Sequence, residues 1–170
     1  MNKRPHYLFI FVACFLMLAG ALLIFQQAFG LDPCPLCILQ RIVIISIGLI
    51  ALVAYLHDSE GMADKVYGGL LVLGGLISIG IATRQVWILN TPREETASCG
   101  PGLEVWLDKF IDLLPQGAVT EKLFRATADC ADAQMALFGL DVPEITYPVF
   151  LALLVYIVWL FFKRNEKPFF

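Results

Sequence analysis

Four long runs of apolar residues dominate the chain, at about 7–29, 35–56, 66–89 and 145–162. Each run approaches or exceeds the roughly 20 residues that an α-helix needs to cross hydrocarbon, and a backbone in lipid must satisfy its polar groups internally. The first run is longer than the apolar core of a signal peptide, which has about 7–15 residues, so we expect an uncleaved span. The pattern predicts an all-α membrane protein, a four-transmembrane-helix bundle that forms a single integral membrane domain over residues 1–170.

Two polar loops connect these runs on one side of the predicted membrane, a short first loop at about 30–36 and a second loop of about 55 residues at about 90–145. In the second loop, apolar residues from Leu103 to Leu114 recur at helical spacing, with acidic residues on another face. We expect an amphipathic helix that lies in the membrane interface on the outer side. The alternative is a helix that packs on a small core of the loop itself.

Charged residues at the two ends of the chain indicate its orientation. Lys3 and Arg4 precede the first run, and Lys163, Arg164 and Lys167 follow the last. Basic residues that flank a span favour the cytoplasmic side, so we expect both termini in the cytoplasm and both polar loops outside. Only 16% of all residues are charged, and the second loop carries four basic and ten acidic residues, a net charge of −6. This balance argues against nucleic acid as a partner.

A pair of cysteines, Cys34 and Cys37, flanks Pro35 and Leu36 at the start of the second predicted span. Pro35 fits the first position of a helix, where its missing N–H is no loss. Cys34 then lies near the N-cap and Cys37 in the first turn, where unpaired amides and the positive end of the helix dipole stabilise a thiolate. Because the thiolate is the reactive form of cysteine, the pattern indicates a redox-active dithiol at the edge of the membrane.

Arg41 lies one helical turn beyond Cys37, on the same face of that span. Only 15 uncharged residues separate it from His57, and they form about 22 Å of helix. Arg41 must therefore lie in or just below the outer interface. A cation at this depth can stabilise a thiolate or the negative charge that develops on a reducible ring. The alternative is a snorkelling arginine that only marks the end of the span, but the position beside Cys37 favours the functional interpretation.

The second loop contains Cys99 and Cys130, with 30 residues between them. An extracytoplasmic setting favours a disulfide between them, either as a structural staple or as a bond that a partner's thiolate attacks. A zinc site of four cysteines fits poorly, because structural zinc usually binds two close pairs, and haem attachment requires a histidine where Ile38 stands. We expect no metal, and an inert, buried Cys14 in the first span.

These motifs resemble those of the disulfide bond formation protein B (DsbB) family of bacterial inner membranes, over nearly the whole chain. The resemblance rests on the four spans, on the run Pro-Cys-Pro-Leu-Cys-Ile-Leu-Gln-Arg at 33–41, on Ser98-Cys99, and on Asp129-Cys130-Ala131 followed by Phe-Gly-Leu at 138–140. A Cys-x-x-Cys motif alone is weak support. The motif becomes specific in this context, because an arginine follows four positions after its second cysteine. The motif also lies in the first outer loop and precedes a second loop with two cysteines.

The resemblance implies a protein of the bacterial inner membrane that reoxidises a periplasmic thioredoxin-like dithiol oxidase of the DsbA type. The electrons pass to a membrane quinone, either ubiquinone or menaquinone. The resemblance also implies the roles of individual residues. Cys99 is attacked by the partner, Cys130 resolves through Cys34, and Cys37 faces the quinone with the assistance of Arg41.

The chain departs from part of the family at the outer end of the third span. Some members have a histidine there as a neighbour of the quinone, whereas residues 84–87 of this chain are Arg-Gln-Val-Trp. A second contact to the quinone therefore has no candidate, and we assign no role to Gln85.

Two other classes share parts of this layout. Vitamin K epoxide reductase-like proteins also link thiols to a quinone, but they place the loop cysteines ahead of the Cys-x-x-Cys motif, which is the opposite order. A tetraspanin-like scaffold with structural disulfides would account for Cys99 and Cys130, but it gives no reason for a dithiol beside Arg41. The sequence therefore favours a thiol oxidoreductase.

Overall fold

The computed structural model of the protein describes residues 4–28, 34–58, 61–90, 109, 136–137 and 140–165. Four α-helices dominate this part of the chain: α1 (Arg4–Gly20), α2 (Pro35–Leu56), α3 (Met62–Asn90) and α4 (Val142–Asn165). Four helical stretches are long and apolar enough to cross a membrane, namely Arg4–Ile24, Pro35–Leu56, Met62–Ile88 and Glu144–Lys163. The predicted all-α class with four spans is confirmed.

The apolar pattern does not predict two local features. After α1 the chain continues as a π-helical segment over Ala21–Ala28, a rare form with wider hydrogen-bonded turns. Strands β1 (Ala136–Leu137) and β2 (Leu140–Asp141) pair antiparallel and lead directly into α4. The amphipathic helix predicted at 103–114 lies outside the described residues except for Lys109, which is exposed.

Helices that follow one another along the chain also pack on one another: α1 on α2, α2 on α3, and α3 on α4. Tyr156 adds a contact between α1 and α4, because its hydroxyl lies 2.9 Å from His6 Nδ1 and its ring meets Phe9 edge-on, with 5.1 Å between ring centroids. The interior is mainly aliphatic and includes Ile10, Ile44, Ile47, Leu71 and Ile157. Large apolar side chains such as Phe15 and Leu16 face outward, as a lipid environment requires.

Polar side chains join the helices at the end of the bundle opposite Cys34. Arg4 Nε donates to Asp58 Oδ1 at 2.8 Å, and the Tyr7 hydroxyl donates to Asp64 Oδ1 at 2.6 Å. Tyr7 and Asp64 are both buried, so this second hydrogen bond satisfies a hydroxyl and a carboxylate that would otherwise be costly to bury. Together the two contacts hold the start of α1 against α3 and the turn between α2 and α3.

A line of small residues brings α3 close to α2. Gly74, Ser78 and Ala82 recur at intervals of four, a spacing that favours close helix packing in membranes. A Cβ atom added at Gly74 would lie only 2.8 Å from Cγ1 of Ile47 on α2, and Ser78 and Ala82 are buried. Side chains further along α3 therefore reach the first turn of α2.

We predict that Gly74→Ala destabilises the bundle and that Gly80→Ala does not. The added methyl at position 74 would meet Ile47, whereas a Cβ at Gly80 has nothing within 4 Å. Forcing a methyl into a packed interface costs about 1–3 kcal/mol, while replacing a helical glycine in open space gains up to about 1 kcal/mol. Thermal unfolding of the two variants in detergent measures the difference. Equal melting temperatures would contradict this account of the α2–α3 contact.

Candidate dithiol site

Cys34 caps the N-terminus of α2 with its own sulfur. Its backbone is extended, with φ −81° and ψ 162°, and Pro35 begins the helix. The Cys34 carbonyl accepts from the Ile38 N–H at 3.1 Å, and its Sγ accepts from the Cys37 N–H at 3.2 Å. A side-chain acceptor at this position satisfies one of the free amides of the first turn. The capping arrangement predicted from Pro35 thus fixes where both thiols lie.

The two sulfur atoms of the dithiol are adjacent. Cys34 Sγ and Cys37 Sγ lie 2.6 Å apart, because residues three apart in the first helical turn share one face. Cys34 is 3% exposed, whereas Cys37 is only partly buried. Cys34 is therefore the residue of the pair with the smaller exposed fraction.

Arg41 carries its charge into the same region. It lies one turn further along α2 and is only 6% exposed, and its guanidinium interacts electrostatically with Cys37 and Cys34. A buried cation in a spanning helix is costly and is usually found where it serves a function. The structure thus brings Arg41 and the dithiol together, as the helical spacing predicts.

Gln85 on α3 is a site residue to which the sequence pattern assigned no role. Its Nε2 lies 3.3 Å from Cys37 Sγ and 3.7 Å from Cys34 Sγ, and the residue is 8% exposed. The sequence contained one indication of this contact, since a polar side chain inside a span needs a polar partner. It gave no way to tell which helix would provide that partner.

A second polar contact lies deeper between the same two helices. Gln40 Nε2 donates to the Ser78 carbonyl at 3.5 Å, and both residues are buried. Gln40 Oε1 and Ser78 Oγ have no hydrogen-bond partner in the described part of the chain. We call the six residues Cys34, Cys37, Gln40, Arg41, Ser78 and Gln85 the polar seam. Incompletely satisfied polar groups of this kind are unusual in a structural core.

The Cys34 thiol holds its proton strongly. Its hydrogen bond with Cys37 raises the pKa of Cys34 well above the usual range, and burial acts in the same direction. The Cys37 N–H and the Gln85 amide oppose this shift with smaller effects. The arrangement is asymmetric, because Cys34 is the member of the pair that keeps its proton.

Of the three other cysteines, Cys14 alone belongs to the described part of the chain. Cys99 and Cys130, predicted to form the second redox pair, lie outside the described residues. Cys14 is buried between α1 and α2, with its Cβ 3.4 Å from the position of a Cβ added at Gly48. It lines an apolar cavity of about 140 Å³. Within the described ranges, no group of three or more His, Cys, Asp or Glu residues could hold a metal ion.

Four helices long and apolar enough to span a membrane, with a dithiol at the end of one of them, define the class of multi-pass membrane proteins. Residues 3–160 match the family model described as "Disulfide bond formation protein DsbB". The chain belongs to this family, and a role in disulfide bond formation follows from that membership.

Curated relatives named "Disulfide bond formation protein B" match nearly the whole chain. The relative from Saccharophagus degradans is 39% identical over 163 residues, covering 94% of this chain and 95% of the relative. The relative from Chromobacterium violaceum is 35% identical over 169 residues, covering 98% of this chain and 97% of the relative. The relative from Nitrosococcus oceani is 42% identical over 149 residues, covering 88% of this chain and 85% of the relative.

We predict that replacing Cys37 shifts the alkylation of Cys34 to lower pH. In fully reduced protein, the hydrogen bond with Cys37 is the largest cause of the raised pKa of Cys34. The Cys37→Ala variant lacks that bond, so the Cys34 thiolate should form at lower pH. Iodoacetamide labelling across a pH series, read at Cys34 by mass spectrometry, measures the change. Cys14→Ala serves as the control, and an unchanged Cys34 profile in Cys37→Ala would show that the two thiols are not coupled.

Proposed function

We propose that this protein is a quinone-dependent thiol oxidase that reoxidises a periplasmic thioredoxin-like oxidase of the DsbA type. The observation that carries the proposal is the Cys34–Cys37 pair at the end of a spanning helix, with Arg41 buried one turn away. Membership of a disulfide bond formation family supports it. A membrane scaffold with structural disulfides would need none of these contacts.

The proposed exchange begins in the second loop. A thiolate of the partner attacks Cys99 and forms a mixed disulfide, and the electron pair of the broken Cys99–Cys130 bond stays on Cys130. The Cys130 thiolate attacks Cys34, which opens the Cys34–Cys37 disulfide and leaves the thiolate on Cys37. The partner's second thiol then displaces Cys99, which completes the partner's disulfide.

The exchange ends with Cys34 and Cys37, which we call the inner pair, in the reduced state. The Cys99 thiolate attacks Cys130, which restores the Cys99–Cys130 disulfide and leaves Cys34 and Cys37 as the reduced pair. Two electrons and two protons have then moved from the partner's dithiol to the inner pair. Every step exchanges one sulfur–sulfur bond for another, so the sequence of reactions needs no metal.

The residues around Cys37 fit an apolar ring with carbonyl oxygens. Arg41 and Gln85 are hydrogen-bond donors, and Leu36, Ile81 and Ile88 form the apolar surroundings. A membrane quinone, when bound, accepts the two electrons and two protons of the reduced pair. Arg41 would hold negative charge near the reacting sulfur, and the partial exposure of Cys37 gives an acceptor dissolved in lipid access to it.

The proposed location is the bacterial inner membrane, with cytoplasmic termini and periplasmic cysteines. Charge at the end of the bundle opposite Cys34 supports this orientation. Arg4 pairs with Asp58 there, and Lys163 lies 4.4 Å from the centroid of the Trp159 ring. Basic residues favour the cytoplasmic side, and tryptophan favours the interface.

We predict that Cys37→Ser abolishes quinone-dependent reoxidation of the reduced partner, because no disulfide can form in the inner pair. Cys14→Ala is the matched control, since Cys14 is buried in α1 away from the polar seam, and it should keep the rate of the unchanged protein. Turnover of purified protein with added quinone measures both variants. Activity of Cys37→Ser above the background without protein would reject the proposed function.

We predict that Cys130→Ser accumulates a disulfide-linked complex through Cys99. Without Cys130, the free Cys99 thiolate attacks the disulfide of the oxidised partner, so that one partner sulfur bonds to Cys99 and the other leaves as a thiolate. Because Cys130 is not there to displace the partner from Cys99, the mixed disulfide should accumulate. Non-reducing electrophoresis of host membranes, followed by mass spectrometry of the linked peptides, identifies the partner. A thioredoxin-fold protein joined through its Cys-x-x-Cys motif is expected, and it should be missing from the Cys99→Ser, Cys130→Ser double variant. A different protein joined to Cys99 would contradict the proposed partner.

A further inference from the structure

The two sulfur atoms of the dithiol share one donor, Gln85 Nε2, and Cys34 Sγ has a second donor within its own helix. Cys34 Sγ accepts from the backbone N–H of Cys37 at 3.2 Å, a contact that lies within the first turn of α2. Cys37 Sγ has the shorter of the two contacts to Gln85 Nε2, at 3.3 Å against 3.7 Å for Cys34 Sγ. The side chain that donates to Cys37 therefore comes from a different helix.

The packing of α3 explains how this donor reaches the sulfur. Gln85 lies three residues beyond Ala82 and seven beyond Ser78, so all three share the face that packs on α2. Ala82 is buried and small, which lets α3 approach α2 closely. The Gln40 amide spans the same interface to the Ser78 carbonyl. Gln85 is thus held in register with the first turn of α2.

The surroundings of Gln85 strengthen a hydrogen bond to sulfur. The residue is 8% exposed, and Ile88 on the same helix packs in the cluster around Cys34. In such a medium of low dielectric constant, a donor that faces a charged acceptor contributes more than it would in water. An amide is also neutral, so it supplies a donor without adding a second buried charge to that of Arg41.

We propose that Gln85 is a catalytic residue that stabilises the thiolate on Cys37 when the Cys34–Cys37 disulfide is opened. This inference rests on the proposed function and assigns a role within it. An incoming sulfur forms a bond to Cys34, the Cys34–Cys37 bond breaks, and its electron pair stays on Cys37 with the Gln85 N–H donating to it. A better stabilised thiolate leaves faster, so Gln85 directs attack to Cys34 and makes Cys37 the leaving sulfur.

The test measures the inner pair alone. Cys99→Ser and Cys130→Ser are introduced into the full chain, and the purified protein is equilibrated with reduced and oxidised glutathione in quinone-free detergent. Gln85→Met removes the donor and keeps the length of the side chain, and Gln85→Leu is a second variant without a donor. Gln85→His retains an N–H. Asn90→Leu is the matched control, because Asn90 is an exposed amide on the same helix that donates to the Val86 carbonyl at 2.9 Å.

We expect Gln85→Met and Gln85→Leu to shift the equilibrium about tenfold toward the disulfide, which lowers the reduction potential by about 30 mV. The reason is that the reduced form loses the hydrogen bond from Gln85 that stabilises it. The ratio of Cys37 to Cys34 alkylation in the reduced protein should fall by about the same factor. Gln85→His should restore at least half of both changes, and Asn90→Leu should cause neither.

Unchanged potentials in Gln85→Met and Gln85→Leu would overturn the inference. An equal shift in Asn90→Leu, or no restoration by Gln85→His, would also overturn it, because the effect would then come from altered packing. Neither readout uses a quinone or a partner protein. Failure of this inference is therefore separate from failure of the proposed function, which the turnover of Cys37→Ser decides.

Discussion

The contact between α2 and α3 is the interaction on which the site depends. Lipid offers no hydrogen bonds, so a polar side chain within a spanning bundle must find its partner on another helix or on its own backbone. Gly74 removes a side chain where α3 meets Ile47, and that close approach lets Gln85 reach the sulfurs and Gln40 reach the Ser78 carbonyl. The polar seam is a consequence of helix packing, and the chemistry of the dithiol follows from the seam.

Each sulfur of the dithiol has its own environment although only two residues separate Cys34 from Cys37. Cys34 caps the helix, is buried, and holds its proton. Cys37 is partly exposed and is near Arg41 and Gln85. In a thiol–disulfide exchange, the identity of the attacked sulfur and of the leaving sulfur depends on such differences. The asymmetry suits a pair that takes electrons from a soluble thiol on one side and gives them to an acceptor in lipid on the other, as proposed here.

The features that depend on one helix at a time could be predicted from the sequence. The apolar runs predict the four spans, Pro35 predicts the start of α2, and the spacing of four places Arg41 below Cys37. The contact of Gln85 could not be predicted, because it depends on the register of α3 against α2, which no local pattern specifies. The π-helical segment at Ala21–Ala28 likewise breaks the regular helix without a proline to mark it. The pairing of Cys99 with Cys130 stays a prediction, since both lie outside the described residues.

Labelling of the dithiol from each side of the membrane decides whether it can exchange with a periplasmic partner. Spheroplasts that express the protein are treated with a reductant and then with a maleimide that cannot cross membranes, and Cys34 and Cys37 are analysed by mass spectrometry. Cys37 should be modified when the reagent is outside the spheroplasts, and it should remain unmodified when the reagent reaches only the cytoplasmic face. Modification from the cytoplasmic face alone would mean that the dithiol faces the reducing compartment, where it could not oxidise a periplasmic partner.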